Sequence, residues 1–377
     1  MIYLDNSATT KPYKEVLDSY QTVAMDFFGN PSSVHGLGGE AELILKKAKS
    51  QIKTMLNTEH DIIFTSGGTE SNNLAIKGIA HELRDRGNHI ITTTVEHPSV
   101  LEVCRHLEQN GFSVTYLPVN ENGKITVDQV NAAIQKDTIL VSVMHVNNEI
   151  GAIQPIEEIA DLLISHPRIR FHTDHVQGLG KINLPYNHGG IDAITISGHK
   201  IHGLKGTGCL LKKKNLVLQT LSHGGSQEFG YRAGTENVAG AVSLAKAIRY
   251  AVEEQKNYQH LAKLKDLLIE ELLTYGRIHI NSDEDCADHI INFSITGVKP
   301  EVMIHAFEEK DVILSTKSAC SSKNEDASYV LLACGRDDDV ASSAIRLSMD
   351  VNQDRQDIVE FNKVLKDVME QYKDVMG

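Results

Sequence analysis

Residues 191–200 read IDAITISGHK, an apolar run that stops at small and polar residues, and the glycine-rich stretch IHGLKGTG follows at residues 201–208. The apolar run predicts a buried β-strand. Lys200 therefore lies just past a strand end, which is where α/β folds present reactive groups. A lysine shielded from water can form a Schiff base with a carbonyl, although a single lysine in a turn is more often an ordinary surface residue.

A second strand end lies 26 positions before Lys200, where RIRFHT at residues 168–173 runs into Asp174. Reactive groups of an α/β fold gather at the carboxyl ends of its strands, so Asp174 and Lys200 are expected to serve one site. A lysine that holds an aldehyde and an aspartate that keeps a pyridine nitrogen protonated are what pyridoxal 5'-phosphate (PLP) requires. The pair therefore indicates a PLP site.

Strand-like and helix-like segments alternate between about residue 44 and residue 215, which predicts an α/β fold with a mostly parallel sheet and helices on both faces. The predicted strands are Asp61–Thr65, His89–Thr94, Ser113–Pro118, Thr138–Met144 and the two that end at Asp174 and Ser197. The predicted helices are Ala41–Leu56, Glu70–Arg86, Pro98–Asn110, Thr126–Gln135 and Ile156–Ser165.

The last third of the chain has an α+β pattern, and the domain change is placed near residue 255, within the helical stretch Glu236–Leu273. Further strands are predicted at Ile278–Asn281, Ile290–Ile295, Val312–Ser315 and Ala344–Ser348, with helices at Pro300–Glu309 and Asp357–Tyr372. The predicted organisation is a segment (residues 1–14) that packs with the small domain, a large domain (15–255) and a small α+β domain (256–377).

The composition is that of an ordinary globular enzyme, with 377 residues that are 41% hydrophobic and 23% charged. A net charge of −13 argues against direct nucleic-acid binding, and no apolar run approaches the ~20 residues of a membrane span. The five scattered cysteines and the lack of a zinc motif argue against a disulfide framework and a metal site. The first residues lack the features of a signal peptide, so a cytoplasmic location is expected.

The stretch TSGGTE at residues 65–70 follows a predicted strand and opens a predicted helix. Small residues let the backbone approach an anion, and a helix N-terminus offers N–H donors and a positive dipole end. Gly68 and Thr69 are therefore candidates to hold a phosphate, with Ser197 and His199 as further donors, although such a helix start alone is usually only an N-cap. The spacing matches neither a dinucleotide-binding nor a Walker loop.

Other polar positions lie after strands or in loops. His97, in VEHP at residues 95–98, can stack on a flat ring and move protons. The tripeptide NNE at residues 147–149 places an amide after a strand, although an ordinary turn would look the same. Arg232 and Thr235, in the glycine-rich loop 224–235, can reach an anion or belong to a plain connection.

Cys320 and Arg346 complete the candidates. Cys320, in KSACSSK at residues 317–323, has small polar neighbours and two lysines, a setting that favours the thiolate. The other four cysteines fit buried, inert positions. Arg346 lies in the apolar strand AIRLS at residues 344–348 and needs a carboxylate partner, which is either a substrate carboxylate or a structural ion pair.

Together these residues resemble cysteine desulfurases of the NifS/IscS type, within the fold-type I PLP enzymes of aminotransferase class V. The resemblance runs in order over nearly the whole chain. Matching stretches are residues 4–10, 29–33 with His35, 65–73, 96–97, 144–151, Asp174 with Gln177, 197–200, Arg232 with 234–235, 318–320 and Arg346. The segment from Cys320 to Tyr329 resembles that of the subgroup with an extended, mobile cysteine loop, placed here at residues 317–328.

The resemblance implies a role for each site residue. Lys200 would form the Schiff base, Asp174 would pair with the pyridine nitrogen, and His97 would stack on the ring as an acid and base. The other implied roles are Asn148 and Gln177 on the ring oxygen, Gly68, Thr69, Ser197 and His199 on the phosphate, Thr235 on the phosphate of the neighbouring subunit, Arg346 and Asn148 on the substrate, and Cys320 as the sulfur acceptor.

The implied reaction converts L-cysteine to L-alanine and leaves a persulfide on Cys320 for a sulfur-acceptor protein, either an iron–sulfur scaffold or an enzyme of tRNA or thiamine thiolation. A homodimer is also implied, because Thr235 would serve the neighbouring subunit. The alternatives are a selenocysteine lyase, a class V aminotransferase and a non-catalytic sulfur-relay scaffold. Cys320 argues against a plain aminotransferase, and the intact pair Lys200 and Asp174 argues against a scaffold.

Overall fold

The computed structural model of the protein describes residues 1–316 and 327–373. Its strands are β1 (Ile2–Tyr3), β2 (Asp61–Thr65), β3 (His89–Thr93), β4 (Ser113–Leu117), β5 (Thr138–Ser142), β6 (Arg170–Asp174), β7 (Ala193–Ser197), β8 (Gly208–Lys212), β9 (Ile278–Ile280), β10 (Ile290–Ile295), β11 (Val312–Ile313) and β12 (Ala344–Ser348). Its helices are α1 (Lys14–Asp26), α2 (Gly36–Met55), α3 (Gly68–Glu82), α4 (Pro98–Gln109), α5 (Val127–Ala133), α6 (Ile156–Ile164), α7 (Val238–Glu254), α8 (His260–Leu272), α9 (Pro300–Glu308), α10 (Tyr329–Ala333), α11 (Asp338–Ser342) and α12 (Arg355–Gln371).

The large sheet has the strand order β2-β8-β7-β6-β5-β3-β4. Strand β8 pairs antiparallel with both of its neighbours, and the other strands run parallel to one another. The chain turns back after β7, so Gly208 pairs with Ser197 and Thr65. A Cβ on Gly208 would lie 2.6 Å from the Cα of Gly67, so this close approach requires glycine. The predicted α/β class with a mostly parallel sheet is confirmed.

Helices cover both faces of the large sheet, because successive residues of a strand point to opposite sides. Ile91 and Val141 pack in a buried cluster with α6 and α7. Their neighbours Ile90 and Leu140 pack in another cluster with α3 and α4. The two-sided burial explains why these strands read as continuous apolar runs in the sequence.

A smaller antiparallel sheet, of order β12-β10-β9, shares a separate apolar cluster with α8, α9 and α12. Strand β1 pairs with β11, and Leu4 enters this cluster. The Asn6 N–H still donates to Ser348 O, at the end of β12 in the smaller sheet, whereas the Thr10 N–H donates to His199 O, in the turn after β7 of the large sheet. Residues 2–10, here called the linking segment, thus join the two sheets. The domain boundaries near residues 14 and 255 stay a prediction.

Several helices differ from the sequence-based expectation. Helix α1 is not predicted, and α2 begins well before Ala41 because the His35 side chain caps the Gly38 N–H at 3.2 Å. The stretch Glu236–Leu273 forms α7 and α8 with a 3₁₀ turn at Gln255–Gln259 between them. None of the residues of this turn is fully buried, although Tyr258 packs against the apolar cluster of the smaller sheet.

Buried histidines make the fold sensitive to acid. Burial lowers the pKa of His172 to about 3 and that of His145 to about 4. The unfolded chain, with a histidine pKa of ~6.5, therefore binds protons first as the pH falls. The free energy of unfolding should drop between about pH 6.5 and pH 4, by ~1.4 kcal/mol per pH unit for each such histidine.

Urea unfolding followed at several pH values measures this slope. His172→Gln should reduce the slope by ~1.4 kcal/mol per pH unit, whereas His279→Gln, on an exposed face of β9, should leave it unchanged. A His172→Gln slope equal to that of the wild type would contradict the assignment.

Candidate active site

The carboxyl ends of β5, β6 and β7 and the starts of α3 and α4 surround a cavity of about 190 Å³. The sequence-predicted site residues that line it are Gly68, Thr69, His97, Asn148, Asp174, Gln177, Ser197, His199, Lys200 and Arg346. Further residues of the same wall, for which no role is predicted, are Ser7, Ala8, Asn72, Ser99, Met144 and Val176. Side chains far apart in the sequence thus meet in one place.

The turn from β2 to α3 forms the anion-binding end of the cavity. Gly67 has φ +152°, a conformation that L side chains rarely adopt, and it leads directly into the first turn of α3. A Cβ on Gly68 would lie 3.0 Å from a Val176 methyl, so glycine keeps this floor close to the end of β6. Thr69 follows in the same turn, and its helix of 15 residues presents free N–H groups at this end.

Lys200 ends the 3₁₀ turn that follows β7. Its Nζ donates to the carbonyl oxygens of Ser7 and Ala8, the latter at 2.7 Å. The linking segment therefore holds the Lys200 amine at the cavity wall. Next to it, the His199 Nδ1 lies 3.2 Å from the Thr9 hydroxyl, and burial together with the charges of Lys200 and Lys205 lowers the pKa of His199 to about 4.

Asp174 ends β6 and is buried at the base of the cavity. Its Oδ1 accepts the Val176 N–H at 3.0 Å, and its Oδ2 accepts from the Asn72 amide at 2.8 Å. A carboxylate can accept about four hydrogen bonds. Asp174 therefore keeps capacity for a further donor from inside the cavity.

His97 is the N-cap of α4, and its Nδ1 accepts the Ser99 N–H at 3.1 Å. The same Nδ1 lies 2.8 Å from the Ser99 hydroxyl. Burial lowers the pKa of His97; the nearby Asp174 carboxylate opposes this shift and Lys200 adds to it. The ring is thus held in one orientation at the cavity wall.

The buried guanidinium of Arg346 reaches the cavity from β12. Its Nη2 donates to Asp5 Oδ1 at 2.9 Å and to the Ser315 hydroxyl at 2.8 Å, and its Nη1 donates to the Asn148 carbonyl at 2.8 Å. The structural ion pair considered from the sequence is therefore present. Arg346 nevertheless lines the cavity, and within the described residues its Nε has no hydrogen-bond partner.

Two predicted positions do not reach this cavity. Thr235 is exposed in the loop before α7 and lies outside the cavity wall. Arg232, from the same loop, pairs through its Nε with Glu70 Oε1 at 3.0 Å, beside the start of α3. Arg232 thus binds a carboxylate of its own chain.

Cys320 lies outside the described residues. The four cysteines that the structure describes, Cys104, Cys209, Cys286 and Cys334, are all buried and free. Burial raises the pKa of each thiol, to about 12 for Cys104 and about 11 for Cys334. None of these four is suited to act as a nucleophile near neutral pH.

No group of histidine, cysteine or acidic side chains suited to hold a metal ion occurs in residues 1–316 and 327–373. In the same part of the chain, no helix is long and apolar enough to cross a membrane.

Comparison with known proteins places the chain. The family model for aminotransferase class V matches residues 2–361. A NifS/IcsS protein homologue of Lactobacillus delbrueckii subsp. bulgaricus is 42% identical over 100% of this chain and 99% of its own length. The cysteine desulfurase IscS of Dictyoglomus turgidum is 41% identical over 99% of this chain and 96% of its own length. This chain belongs to the cysteine desulfurase family of aminotransferase class V.

The fold agrees with membership of the cysteine desulfurase family. The solved structure of a NifS-like protein superposes with a TM-score of 0.91 at 33% identity, covering 98% of this chain and 99% of that one. The predicted family and enzyme class are confirmed. Enzymes of this family use PLP, whereas the role of each residue in the cavity stays a prediction.

Sequence reasoning missed two kinds of site residue. Ser7 and Ala8 act through backbone carbonyls, which carry no residue-specific signal. Asn72 and Ser99 act through side chains, and a helical signal existed for Asn72, because it lies one turn after Thr69 and so shares its face of α3. Ser99 had no comparable signal, because its contact with Asn72 joins two different helices.

Proposed function

We propose that the protein is a PLP-dependent cysteine desulfurase that converts L-cysteine to L-alanine. The observation that carries the proposal is that Lys200 and Asp174 line one cavity with the N-terminus of α3. An amine, a carboxylate and an anion-binding helix start are the groups that hold an aldehyde, a pyridine nitrogen and a phosphate. Similarity to cysteine desulfurases over the whole chain supports this reaction over other PLP chemistry.

The residues of the cavity fit PLP. The unused acceptor capacity of Asp174 suits a pyridinium N–H. Asn148 and Gln177 each keep a buried amide oxygen without a partner among the described residues, so a polar ring substituent could satisfy them. Gln177 is fixed by its amide N–H, which donates to Ser7 O at 3.0 Å. The residues proposed for the phosphate are Gly68, Thr69, Ser197 and His199.

When bound, PLP supplies an electron sink for negative charge at the substrate Cα. Lys200 is proposed to carry the cofactor aldehyde on Nζ and, once the substrate amine has taken its place, to remove the Cα proton with the same atom. The Ser7 and Ala8 carbonyls accept hydrogen bonds from Nζ and so keep the amine at the cavity wall. Asp174 is proposed to hold the pyridine nitrogen in its protonated form.

Arg346 is proposed to bind the substrate α-carboxylate, with Asn148 beside it. Its Nε has no partner in the described part of the chain, although the guanidinium is 1% exposed. Leaving a buried N–H donor without an acceptor costs free energy. A carboxylate in the cavity would supply that acceptor, in addition to the ion pair with Asp5.

Cys320 is proposed to attack the sulfur of the substrate as a thiolate. The bond between that sulfur and the substrate Cβ breaks, its electron pair stays with the carbon skeleton that becomes alanine after protonation, and the sulfur remains on Cys320 as a persulfide for a sulfur-acceptor protein, either an iron–sulfur scaffold or a thiolation enzyme. A homodimer is proposed because Thr235 is exposed outside the cavity of its own chain and can serve a second copy. The cytoplasm is the proposed location.

The direct test is the reaction itself. Purified protein loaded with PLP should form alanine from L-cysteine and, with a thiol reductant, an equal amount of sulfide. Amino-acid analysis and a sulfide assay measure the two products. Turnover of selenocysteine but not of cysteine would identify a selenocysteine lyase. Formation of a keto acid with transfer of the amine would identify an aminotransferase. A protein that carries out none of these reactions would support a scaffold.

A further inference from the structure

A chain of buried hydrogen bonds connects Asp174 to His97 through two residues on different helices. The Asn72 amide, on α3, donates at 2.8 Å both to Asp174 Oδ2 and to the hydroxyl of Ser99, on α4. The Ser99 hydroxyl lies 2.8 Å from His97 Nδ1. Asn72 is 0% exposed and Ser99 is 9% exposed, so water does not compete for these contacts. Asp174, at the base of the cavity, and His97, at its wall, are therefore connected by hydrogen bonds.

The direction of each hydrogen bond between Asp174 and His97 follows from the chemistry of these two end groups. A carboxylate only accepts, so the Asn72 NH2 group, and not its oxygen, must face Asp174. The second amide hydrogen then points to Ser99 Oγ. Since that oxygen accepts from Asn72, the Ser99 hydroxyl is free to donate its own hydrogen to His97 Nδ1.

The backbone settles the protonation of His97 Nδ1. The Ser99 N–H can only donate, and it points at this nitrogen from 3.1 Å. A proton on Nδ1 would face that N–H and would break the N-cap of α4. The neutral ring therefore carries its proton on Nε2.

The surroundings also favour the neutral ring. His97 is half-buried and sits at the N-terminus of a helix of 12 residues, where the dipole disfavours a cation. The charged groups that act on it are Asp174, from the end of β6, which favours protonation, and Lys200, from the turn after β7, which opposes it.

We propose that His97 serves this site as a neutral hydrogen-bond donor through Nε2 and not as a proton acceptor, and that Asn72 and Ser99 are the positioning residues that hold it so. The inference deepens the proposed function and rests on it. It replaces the acid and base role expected from the resemblance. Nε2 already carries the proton of the neutral ring, and Nδ1 accepts the Ser99 N–H, so neither nitrogen is free to take up a proton from the substrate. Proton removal from the substrate then falls to Lys200.

Nitrogen NMR of the protein labelled with ¹⁵N-histidine tests the tautomer without turnover. The His97 signals are identified by their loss in His97→Gln. With and without PLP, Nδ1 should have the shift of an unprotonated nitrogen and Nε2 that of a protonated one, unchanged between pH 6 and pH 9. A protonated Nδ1 would overturn the proposal.

Variants test the positioning residues. Ser99→Ala removes the hydroxyl but keeps the backbone cap, and it should lower kcat for alanine formation about 10-fold, the usual effect of one lost hydrogen bond in a buried network. Asn72→Ala should have a similar effect. Both should shift the His97 nitrogen signals, and Ser99→Thr, which keeps a hydroxyl, should restore kcat and the signals.

Ser243→Ala is the matched control, because Ser243 is also a buried serine, and its side-chain hydrogen bond stays within α7. It should change neither kcat nor the His97 signals. Unchanged signals in Ser99→Ala and Asn72→Ala would overturn the positioning role. A protein with the expected tautomer that forms no alanine from cysteine would overturn the proposed function alone, and active protein with a protonated Nδ1 would overturn this inference alone.

Discussion

Lys200→Ala is expected to lower alanine formation from L-cysteine by about 10³-fold or more, because this one side chain is proposed to supply both the attachment of the cofactor and the base for the Cα proton. The variant should also lose covalent cofactor. Borohydride reduction followed by peptide mapping should place PLP on Lys200 in the wild type and on no lysine in the variant.

Lys205→Ala is the matched control for this experiment. Lys205 lies in the same glycine-rich stretch, but its side chain is exposed and does not line the cavity. This variant should keep the wild-type rate and the wild-type adduct. Recovery of the reduced adduct on a lysine other than Lys200 would contradict the assignment.

Cys320→Ser is expected to abolish release of sulfide while cysteine binding is kept, because the binding roles are proposed for Lys200 and Arg346 and not for the thiol. The loss should be about 10²-fold or more, since a serine hydroxyl is a far weaker nucleophile than a thiolate. The change of the visible spectrum on adding cysteine measures binding, and sulfide released with reductant measures transfer.

Cys334→Ala controls for the loss of a thiol elsewhere. Cys334 is buried beside α10 and its pKa is raised to about 11, so it should not contribute to sulfur transfer. The variant should release sulfide at the wild-type rate. Wild-type sulfide release by Cys320→Ser would show that the sulfur takes another route.

The strands that carry the site could be predicted because each is buried on both faces and ends at small or polar residues. Strands β2, β6 and β7 end where the apolar runs stop, at Thr65, Asp174 and Ser197. Since the carboxyl ends of parallel strands share one edge, strand ends alone brought Asp174 and Lys200 to one cavity. Their shared place in one cavity was thus predictable from residue types and spacing.

The parts that could not be predicted depend on pairing and on the backbone. The reversed direction of β8 follows from its hairpin with β7, and an apolar run has no direction in the sequence. The acceptors of the Lys200 amine are carbonyl groups, which every residue has. The contact of Asn72 with Ser99 depends on how α3 packs on α4, which no local pattern encodes.

The linking segment has a consequence for how the protein is made. The Ser7 N–H donates to the Ser348 hydroxyl at 2.8 Å, and the Ser348 N–H donates to Leu4 O, so the carbonyls that hold Lys200 depend on a residue synthesised far later. At 5–20 residues per second, a ribosome needs roughly 7 to 30 s to travel from residue 200 to residue 348. During that time the segment that carries the two acceptors of the Lys200 amine lacks its anchor on β12. A growing chain should therefore stay inert toward cysteine, and release no sulfur, until translation has passed Ser348.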